Sequence, residues 1–356
     1  MEKIENEKNS SLGIDNFKNL STDLVLASIE KLGKRCTGRL LQLNSMENRV
    51  FSVEIEDENS RSGVKSVIAK FYRPKRWTSR QIISEHNLQI FLSEEEIPTP
   101  KLFLFPNGQS LSKQGDFEFC VWEKVAGRTP LDLTYDNLKE IGQIVARMHN
   151  LFESKIEESD FDRPHLSSLA IAERAFNALS GTGHIPRFLE SSVLDVIEEL
   201  AFGLQWIDTC MTFIPTHGDL HRNNLMQTQD SGKFWVLDFD DCMWAPDIQD
   251  LWLLASGVEF SAEESEKGLT PLGAMIEGYS VFRRLPQGSE QLVEPLRTLR
   301  MLHYVGWIAH RWQGDPLFHQ VFSFFHDEQY WEKTLHDFET QRSVLLHAGL
   351  MQGASE

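Results

Sequence analysis

The pattern of apolar and polar residues predicts two differently built parts of the chain. In the first part, apolar and polar residues alternate in short runs, as at Phe51, Val53 and Ile55 and again between Val67 and Phe71. Alternation with a period of two is typical of strands that bury one face. The stretch from about residue 37 to residue 122 therefore predicts an antiparallel meander of about five strands.

Turn-forming pairs mark where some of these strands end. Asn107-Gly108 lies between the apolar run Leu102–Phe105 and Leu111, and this arrangement predicts a hairpin. Gly115-Asp116 offers a further turn before the apolar run Phe117–Trp122. We therefore expect Leu102–Phe105 and Phe117–Trp122 to be strands of one sheet.

Helical spacing interrupts this part once and dominates the chain beyond Gly127. Apolar residues recur at the spacing of one helix face between Leu138 and Met148, and a helix is also expected at Ser79–Leu92, within the strand-rich part. A strand-like island remains at Leu225–Leu237. Three further segments have helical spacing: Leu194–Ile207, Pro271–Phe282 and Pro295–Trp312.

Together these patterns predict an α+β fold, with a small lobe built on an antiparallel sheet and a larger, mainly helical lobe. The hinge between the lobes is expected at Glu123–Gly127. The polar start of the chain has little periodicity, which predicts a mobile arm or a weakly docked segment. The predicted boundaries are 1–23 for the arm, 24–126 for the N-terminal lobe, 127–346 for the C-terminal lobe and 347–356 for a tail.

Composition restricts the partners and the compartment. The formal net charge is −18, from 35 basic and 53 acidic residues, and this opposes binding to nucleic acid, which is held by clustered Lys and Arg. No apolar run is long enough for a membrane span and no signal-peptide pattern begins the chain, so we expect a soluble, cytoplasmic protein without membrane contacts. The four cysteines are scattered and predict neither a disulfide framework nor a cysteine zinc site: Cys36, Cys120, Cys210 and Cys242.

The most informative stretch runs from Thr216 to Asn224 and continues through a Ser231-Gly232 turn to Asp238. The apolar pieces on either side of the turn predict a hairpin, which would bring Asn224 and Asp238 together at its open end. An amide oxygen and a carboxylate that converge in this way suit a hard cation such as Mg²⁺. Asp219, five residues before Asn224, can accept a hydroxyl proton or orient a nucleophile.

Two other interpretations of this stretch are open. His217, Asp219 and His221 could bind zinc, although no further ligand pattern accompanies them. Alternatively, the histidines are core or capping residues and the acids belong to a solvated turn.

The stretch resembles the kinase catalytic loop and its metal-binding Asp, in the HGD-x-H-x-x-N form of aminoglycoside and choline kinases. The resemblance implies a two-lobed, protein-kinase-like fold that uses ATP, with an upstream strand lysine on the nucleotide phosphates and a helical acid paired to it. Lys70 is mid-strand, where a charge needs a partner, and Glu85 follows on the helix. A solvent-facing edge position for Lys70 is the alternative, and Glu94–Glu96 compete with Glu85.

The phosphate-covering loop should lie between the first two strands, at Leu43–Val50. This loop contains no glycine, so backbone N–H groups and the hydroxyl of Ser45 are the expected phosphate contacts. An ordinary hairpin loop is the alternative.

Acidic residues beyond the metal-binding position raise two further questions. In Asp238-Phe239-Asp240-Asp241 an Asp replaces the glycine of the kinase DFG motif, and Asp240 either assists a second metal or is solvated. Asp250 resembles the family's structural acid and would accept hydrogen bonds from the catalytic-loop backbone. Alternatively, Asp247 or Asp250 is simply an acidic residue in the first turn of a helix.

The resemblance extends beyond the superfamily to one particular family. Four segments resemble the bacterial stress response kinase A family, and two later pieces, Glu294–Arg297 and Arg311-Trp312, do so as well. The resemblance spans roughly residues 24–346, and its four main segments are Leu43–Val50, Lys70–Trp77, His217–Asn224 and Ile248–Trp252.

This resemblance implies a cytoplasmic, monomeric serine/threonine protein kinase linked to envelope and oxidative stress. It implies that Asp219 is the catalytic residue, Asn224 and Asp238 the magnesium ligands, Asp238 a second active-site acid and Ser45 an ATP-site residue. The acceptor is then a serine or threonine hydroxyl of a protein. Two alternatives stay open: a small-alcohol kinase acting on homoserine, choline or an aminoglycoside, and a nucleotide-binding scaffold without catalysis.

Overall fold

The computed structural model describes residues 17–210, 212–312 and 314–351. The chain divides into two compact units. The first comprises Phe17–His165 and Phe213–Ser289, and the second comprises the described parts of residues 166–212 and 290–356. The predicted lobe boundary at residue 126 falls inside the first unit, so that boundary stays a prediction. No helix among the described residues combines the length and the apolar character needed to cross a membrane.

An antiparallel sheet of five strands begins the first unit, in the order β1-β2-β3-β5-β4. Lys70 of β3 lies opposite Val50 of β2 and Cys120 of β5, so its strand is central in the sheet. The predicted five-stranded antiparallel sheet is confirmed. Its strands are β1 Cys36–Leu43, β2 Arg49–Glu56, β3 Val64–Phe71, β4 Ser112–Gln114 and β5 Phe117–Glu123.

The hairpin predicted at Asn107-Gly108 is wrong in its strands, although the turn is present. Gly108 N–H donates to the carbonyl of Phe105 at 2.8 Å, but Leu102 forms only an isolated bridge with Trp122 of β5. The first half of β5 pairs with β4, and residues 101–103 bond to its second half. The outer edge of β5 is therefore shared, which leaves Leu102–Phe105 as an irregular extension.

The two faces of the sheet are covered differently, as the period of two requires. Ala69 and Phe71 lie in one apolar cluster with helix α1, Thr22–Glu30. Tyr72 lies on the opposite face with Ile82 of helix α2, Ser79–Glu94. Lys70 shares this second face, because it lies between Ala69 and Phe71 in the strand. The predicted helix at Ser79–Leu92 is confirmed and starts at a Thr78 capping box.

Packing begins earlier than the predicted arm boundary. Residues 1–16 lie outside the described part of the chain, but Phe17 is buried and stacks on Phe117 with ring centroids 5.9 Å apart. The Arg49 guanidinium lies 4.3 Å from the centroid of the Phe17 ring. The segment from Phe17 onward is thus part of the first unit's core.

The rest of the first unit combines helices with short antiparallel pairs. The predicted helix between Leu138 and Met148 is confirmed, with a capping box at Thr134. The helices are α3 Tyr135–Lys155, α7 Ile248–Ser256, α8 Ala262–Glu266 and α9 Pro271–Tyr279, and the strands are β6 Ile214–Thr216, β7 Leu225–Gln227, β8 Phe234–Val236 and β9 Met243–Ala245.

The second unit is helical throughout its described residues, apart from its connections. The helix predicted at Leu194–Ile207 extends from Arg187 to Gly203, and Ile207 begins a separate short helix. The helix predicted at Pro295–Trp312 is confirmed. Its helices are α4 Ser168–Leu179, α5 Arg187–Gly203, α6 Ile207–Cys210, α10 Val293–Trp312, α11 Pro316–Val321 and α12 Glu328–His347.

Glycines allow α3 and α9 to approach closely. A Cβ atom at Gly278 of α9 would collide with the carbonyl oxygen of Lys139, and one at Gly142 of α3 would collide with that of Met275. The obstacles are backbone atoms, which cannot move aside as a flexible side chain can.

We expect Gly278→Ala to lower the free energy of unfolding by about 2 kcal/mol or more, because the helices must separate to admit the methyl group. Urea unfolding measures this change. Gly257→Ala is the matched control: the nearest obstacle to its Cβ is Leu254 O at 3.7 Å, so we expect a change within about 0.5 kcal/mol. Equal losses in the two variants would contradict close backbone packing.

Candidate active site

The predicted hairpin after the Thr216–Asn224 stretch is confirmed. Strands β7 and β8 pair antiparallel, with Leu225 opposite Val236, and Leu237 N–H donates to Asn224 O at 2.9 Å. Asn224 and Asp238 therefore flank the open end of one hairpin. Asp238 has a φ of 57°, a left-handed conformation that is uncommon for residues other than glycine and is frequent at functional sites.

Asp250 fixes the start of the loop before this hairpin. One carboxylate oxygen accepts from His217 N–H at 2.8 Å, and the other accepts from Gly218 N–H at 2.9 Å. This bears out the expectation that Asp250 binds the loop backbone. Burial acts to raise the pKa of Asp250, but the hydrogen bond with His149, at 3.0 Å, helps to hold that pKa below its ordinary value.

Gly218 and Asn224 fix the backbone around Asp219. Gly218 has a φ of +78°, and a Cβ there would collide with the carbonyl oxygen of Asp241, so only glycine fits. The Asn224 Nδ2 donates to the carbonyl of Asp219 at 2.9 Å, which closes the loop over the intervening residues. The Asp219 carboxylate lies 3.4 Å from His221 Nε2, and about a fifth of its side chain, 21%, is exposed.

The geometry argues against the zinc alternative. His217 Nε2 lies 2.8 Å from Leu237 O and must donate to it, while Nδ1 accepts from Asp219 N–H at 3.4 Å. Both ring nitrogens are therefore used within the protein and neither offers a lone pair to zinc. In the part of the chain that the structure describes, no group of three or more His, Cys, Asp or Glu side chains is arranged to hold a metal ion.

Lys70 is the electrostatic centre of the site. Its Nζ lies 3.2 Å from Glu85 Oε1, 3.2 Å from Asp238 Oδ1 and 2.8 Å from Asp240 Oδ1. The side chain is only 4% exposed, so the solvent-facing alternative for Lys70 is wrong. Burial acts to lower the pKa of Lys70, but Asp240, Glu85 and Asp238 hold it well above its ordinary value.

Glu85 is the helical acid beside Lys70, as predicted in preference to Glu94–Glu96. It is fully buried in α2, and its carboxylate accepts from Gln89 Nε2 at 3.0 Å and from the Tyr72 hydroxyl at 3.3 Å. These bonds hold the carboxylate in place beside Lys70. Burial raises the pKa of Glu85 to about 7, against the opposite effect of the Lys70 charge.

Asp240 requires a correction. One predicted alternative was a solvated carboxylate, but the residue is only 3% exposed. It pairs with Lys70 and Arg76 and accepts from Asn48 Nδ2 at 3.0 Å. Burial alone would raise the pKa of Asp240, but Arg76 and Lys70 hold it well below its usual range.

The loop that carries Ser45 is held by side chains. Ser45 Oγ accepts from Asn48 N–H at 3.3 Å, so its own O–H remains a donor. The buried Arg73 donates to Met46 O at 3.0 Å and to Glu47 O at 2.9 Å. Asn48 Oδ1 accepts from Arg73 N–H at 3.1 Å, which ties the loop to the end of β3.

Sequence reasoning assigned no role to Arg73, Arg76 or Arg163. Arg163 donates to Cys242 O at 2.9 Å and to Asp240 O, and its guanidinium lies 3.9 Å from the centroid of the Trp77 ring. A usable signal did exist for the other two, since Lys70, Arg73 and Arg76 follow one another at intervals of three residues beside the predicted lysine. No comparable signal marks Arg163.

Asn224 and Asp238 have the chemistry of divalent-metal ligands. Because the Asn224 nitrogen donates to Asp219 O, the amide oxygen is left as an acceptor. Asp238 pairs with Lys70 through Oδ1, and half of its side chain, 50%, is exposed. A carboxylate and an amide oxygen at one hairpin end fit a hard cation whose other ligands come from phosphate and water.

A sheet with this lysine–glutamate pair, beside an aspartate-bearing loop and hairpin, defines the class of aminoglycoside- and choline-kinase-like phosphotransferases. The model of the phosphotransferase enzyme family matches residues 40–292. Stress response kinase A from Escherichia coli O157:H7 is 31% identical over 331 residues, covering 92% of this chain and 94% of that protein. The chain belongs to the phosphotransferase enzyme family and, within it, groups with the stress response kinase A proteins; it is a kinase.

One further relative and one solved structure are also similar to this chain. A Salmonella typhimurium protein named serine/threonine protein kinase RdoA is 28% identical over 341 residues, covering 92% of this chain and 94% of that protein. The structure of amicoumacin kinase hAmiN in complex with AMP-PNP, Ca²⁺ and Ami has a TM-score of 0.66 at 20% identity, covering 94% of this chain and 97% of that chain. The second match confirms the fold class.

We expect Asp250→Asn to lower the free energy of unfolding by about 3 kcal/mol, because an amide has one acceptor oxygen for two backbone N–H groups. Urea unfolding measures the loss. The control is Glu263→Gln, whose carboxylate pairs at the surface with Lys267 at 2.7 Å and should contribute about 0.5 kcal/mol or less. Unchanged stability of Asp250→Asn would show that the carboxylate does not hold the loop.

Proposed function

We propose that this kinase transfers the γ-phosphate of ATP to a serine or threonine hydroxyl of a protein in a magnesium-dependent reaction. The observation that supports phosphoryl transfer is the buried Lys70 ammonium, which is paired with Glu85 and lies against Asp238 at the hairpin end. Such a cation suits nucleotide phosphates, since it is held rigidly and is already desolvated.

Each proposed site residue has a role that follows from its surroundings. Lys70 and the Ser45 hydroxyl hold nucleotide phosphates, and Glu85 keeps Lys70 in position. Asn224 and Asp238 hold the metal, and Asp238 is also the second active-site acid. A magnesium ion bound there would neutralise negative charge on the phosphate oxygens.

Asp219 is proposed as the catalytic residue. The loop backbone around it is fixed by Asn224 and Asp250, while its own carboxylate stays partly accessible. It can therefore orient an acceptor hydroxyl and accept its proton as the phosphoryl group is transferred. Positioning of this kind depends on a rigid loop more than on a shifted pKa.

The acceptor class is supported by the relatives. The Salmonella typhimurium protein, which is aligned over almost the whole chain, is named a serine/threonine protein kinase. The amicoumacin kinase structure is a complex with AMP-PNP, Ca²⁺ and Ami, but it shares only the fold, at 20% identity. A protein acceptor is therefore preferred, and a small alcohol is the outcome that a direct assay must distinguish.

The remaining proposals concern the binding partners, the oligomeric state and the cellular role of the protein. A net charge of −18 supports a kinase that does not bind nucleic acid. The names of the relatives support a role in the stress response. We also propose that the protein is monomeric, cytoplasmic and independent of membranes.

We expect the purified protein to label itself or a generic basic protein from γ-labelled ATP, with acid hydrolysis yielding phosphoserine or phosphothreonine. Asp219→Asn should lower labelling by about a thousandfold or more while ATP affinity changes by less than about threefold, because the nucleotide contacts are intact. Phosphoamino-acid analysis and equilibrium ATP binding measure both. Glu263→Gln, at the surface, serves as the control.

Two results would contradict this proposal in different ways. Wild-type protein that labels no polypeptide but phosphorylates homoserine, choline or an aminoglycoside would refute the protein acceptor and retain the phosphotransferase site. Asp219→Asn with wild-type transfer to any acceptor would refute the catalytic assignment.

We expect Ser45→Ala to raise the KM for ATP by about fivefold with a smaller change in kcat, because a lost hydroxyl donor weakens phosphate binding. Steady-state kinetics with ATP as the varied substrate measures the two effects. Ser62→Ala, which changes an exposed residue of the β2–β3 loop, should alter neither. Unchanged ATP affinity with reduced turnover would count against a phosphate contact.

A further inference from the structure

Two carboxylates of the Asp238-Phe239-Asp240 segment bind the same Lys70 ammonium, but their surroundings differ. The Asp238 side chain is 50% exposed and lies 3.2 Å from Lys70, whereas that of Asp240 is 4% exposed and lies 2.8 Å away. A metal ligand must be reachable by the ion and by its waters. The two acids are thus suited to different tasks.

The contacts of Asp240 come from three separate pieces of the first unit. Lys70 belongs to β3, Arg76 to the turn after it, and Asn48 to the loop between β1 and β2. Arg163 also binds the backbone carbonyl of Asp240. One buried residue therefore connects the lysine, the Ser45 loop and the metal-binding segment.

The carboxylate of Asp240 is surrounded by cations and an amide donor. Oδ1 lies 2.8 Å from the Lys70 ammonium, and Oδ2 accepts from both Arg76 and Asn48. Moving this carboxylate to a metal ion would leave the Arg76 guanidinium, whose side chain is 11% exposed, with fewer counter-charges. Stranding a buried charge is costly, so Asp240 is held where it is.

Asn48 connects the fixed carboxylate of Asp240 to the Ser45 loop. Its Nδ2 donates to Asp240 at 3.0 Å, its Oδ1 accepts from Arg73 N–H at 3.1 Å, and its own N–H donates to Ser45 Oγ at 3.3 Å. A residue that is 2% exposed and makes all of these bonds has one conformation available. The position of Ser45 is thereby coupled to Asp240.

We propose that Asp240 is a positioning residue, which locks Lys70 and the Ser45 loop in the geometry that receives nucleotide phosphates, and that it is not a metal ligand. The inference rests on the proposed function, because it assigns the phosphates to Lys70 and Ser45. It gives the acid at the glycine position of the kinase DFG motif a task distinct from that of Asp238. Asp240 acts on the nucleotide through Asn48 and Lys70 without touching it.

The experiment compares Asp240→Asn, Asn48→Ala and the double variant with wild type. It measures the Kd for ATP, the magnesium concentration that gives half-maximal transfer at saturating ATP, and the Tm. Glu263→Gln is the control, because Glu263 is an acid that pairs only at the surface, with Lys267 at 2.7 Å, away from the site. Asp238→Asn is the reference for loss of a metal ligand.

We expect Asp240→Asn and Asn48→Ala each to raise the Kd for ATP by about tenfold, since each breaks a buried charge-assisted bond. Each substitution breaks the same hydrogen bond between Asn48 and Asp240. The double variant should therefore bind ATP within about threefold of the weaker-binding single variant. The half-maximal magnesium concentration should stay within about twofold of wild type, and Asp238→Asn should raise it by about tenfold or more. Glu263→Gln should change the Kd for ATP by less than about threefold.

Several results would overturn the inference alone. These are an Asp240→Asn variant with unchanged ATP affinity, one whose half-maximal magnesium concentration rises as in Asp238→Asn, and fully multiplicative losses in the double variant. If Asp240→Asn does not fold by its Tm, Asn48→Ala and Arg76→Lys decide the matter through the same ATP titrations. Wild-type protein that fails to bind ATP would overturn the proposed function together with the inference.

Discussion

A lysine ammonium that is almost completely shielded from water cannot remain charged on a central strand unless counter-charges surround it. Around Lys70 three carboxylates meet this requirement, and they come from two different elements: Glu85 from a helix, and Asp238 and Asp240 from the segment after a hairpin. The fold of the first unit is in this sense arranged around one cation. The sheet presents Lys70 on the face that α2 covers, and the hairpin end reaches the same point.

A second buried charge, the carboxylate of Asp250, is also stabilised by the groups around it. There a buried carboxylate is not paired with a lysine but is surrounded by N–H donors, from His217, Gly218 and His149. Two buried anions thus fix two edges of the site: Asp240 holds Lys70 and Asn48, and Asp250 holds the loop that carries Asp219. Both would be destabilising if one partner were missing, and this dependence ties the correct local geometry to the stability of the whole unit.

Much of this arrangement could be predicted from sequence, because it depends on local spacing. Turn residues between two apolar pieces predicted the hairpin that brings Asn224 and Asp238 to one end, and the resemblance to kinases predicted that Glu85 on the following helix pairs with Lys70. Asp250 was predicted from its resemblance to a structural acid. In each case the required information lies within a short segment or a known motif.

The remaining features of the site and the sheet depend on contacts between residues that are distant in sequence. Residue spacing does not encode those contacts. Arg76 follows a turn in which Lys75 has a φ of 65°, and nothing in its residue type requires that conformation. The burial of Asp240 depends on partners far away in sequence, such as Asn48. Residues 102–105 have the composition of a strand, but they share the edge of β5 with β4, and the sequence does not reveal that competition.

The Ser45 loop shows how a site can dispense with glycine. Glycines let a backbone approach phosphates closely, but they leave the loop with many conformations in the absence of a ligand. Here the loop is fixed beforehand by Arg73 and Asn48, so the entropy of ordering it is lost on folding and not on binding. The shape of the proposed phosphate site therefore depends on buried side chains behind the loop. On that proposal, substitutions at Arg73 or Asn48 act on nucleotide binding from positions that need not contact the nucleotide.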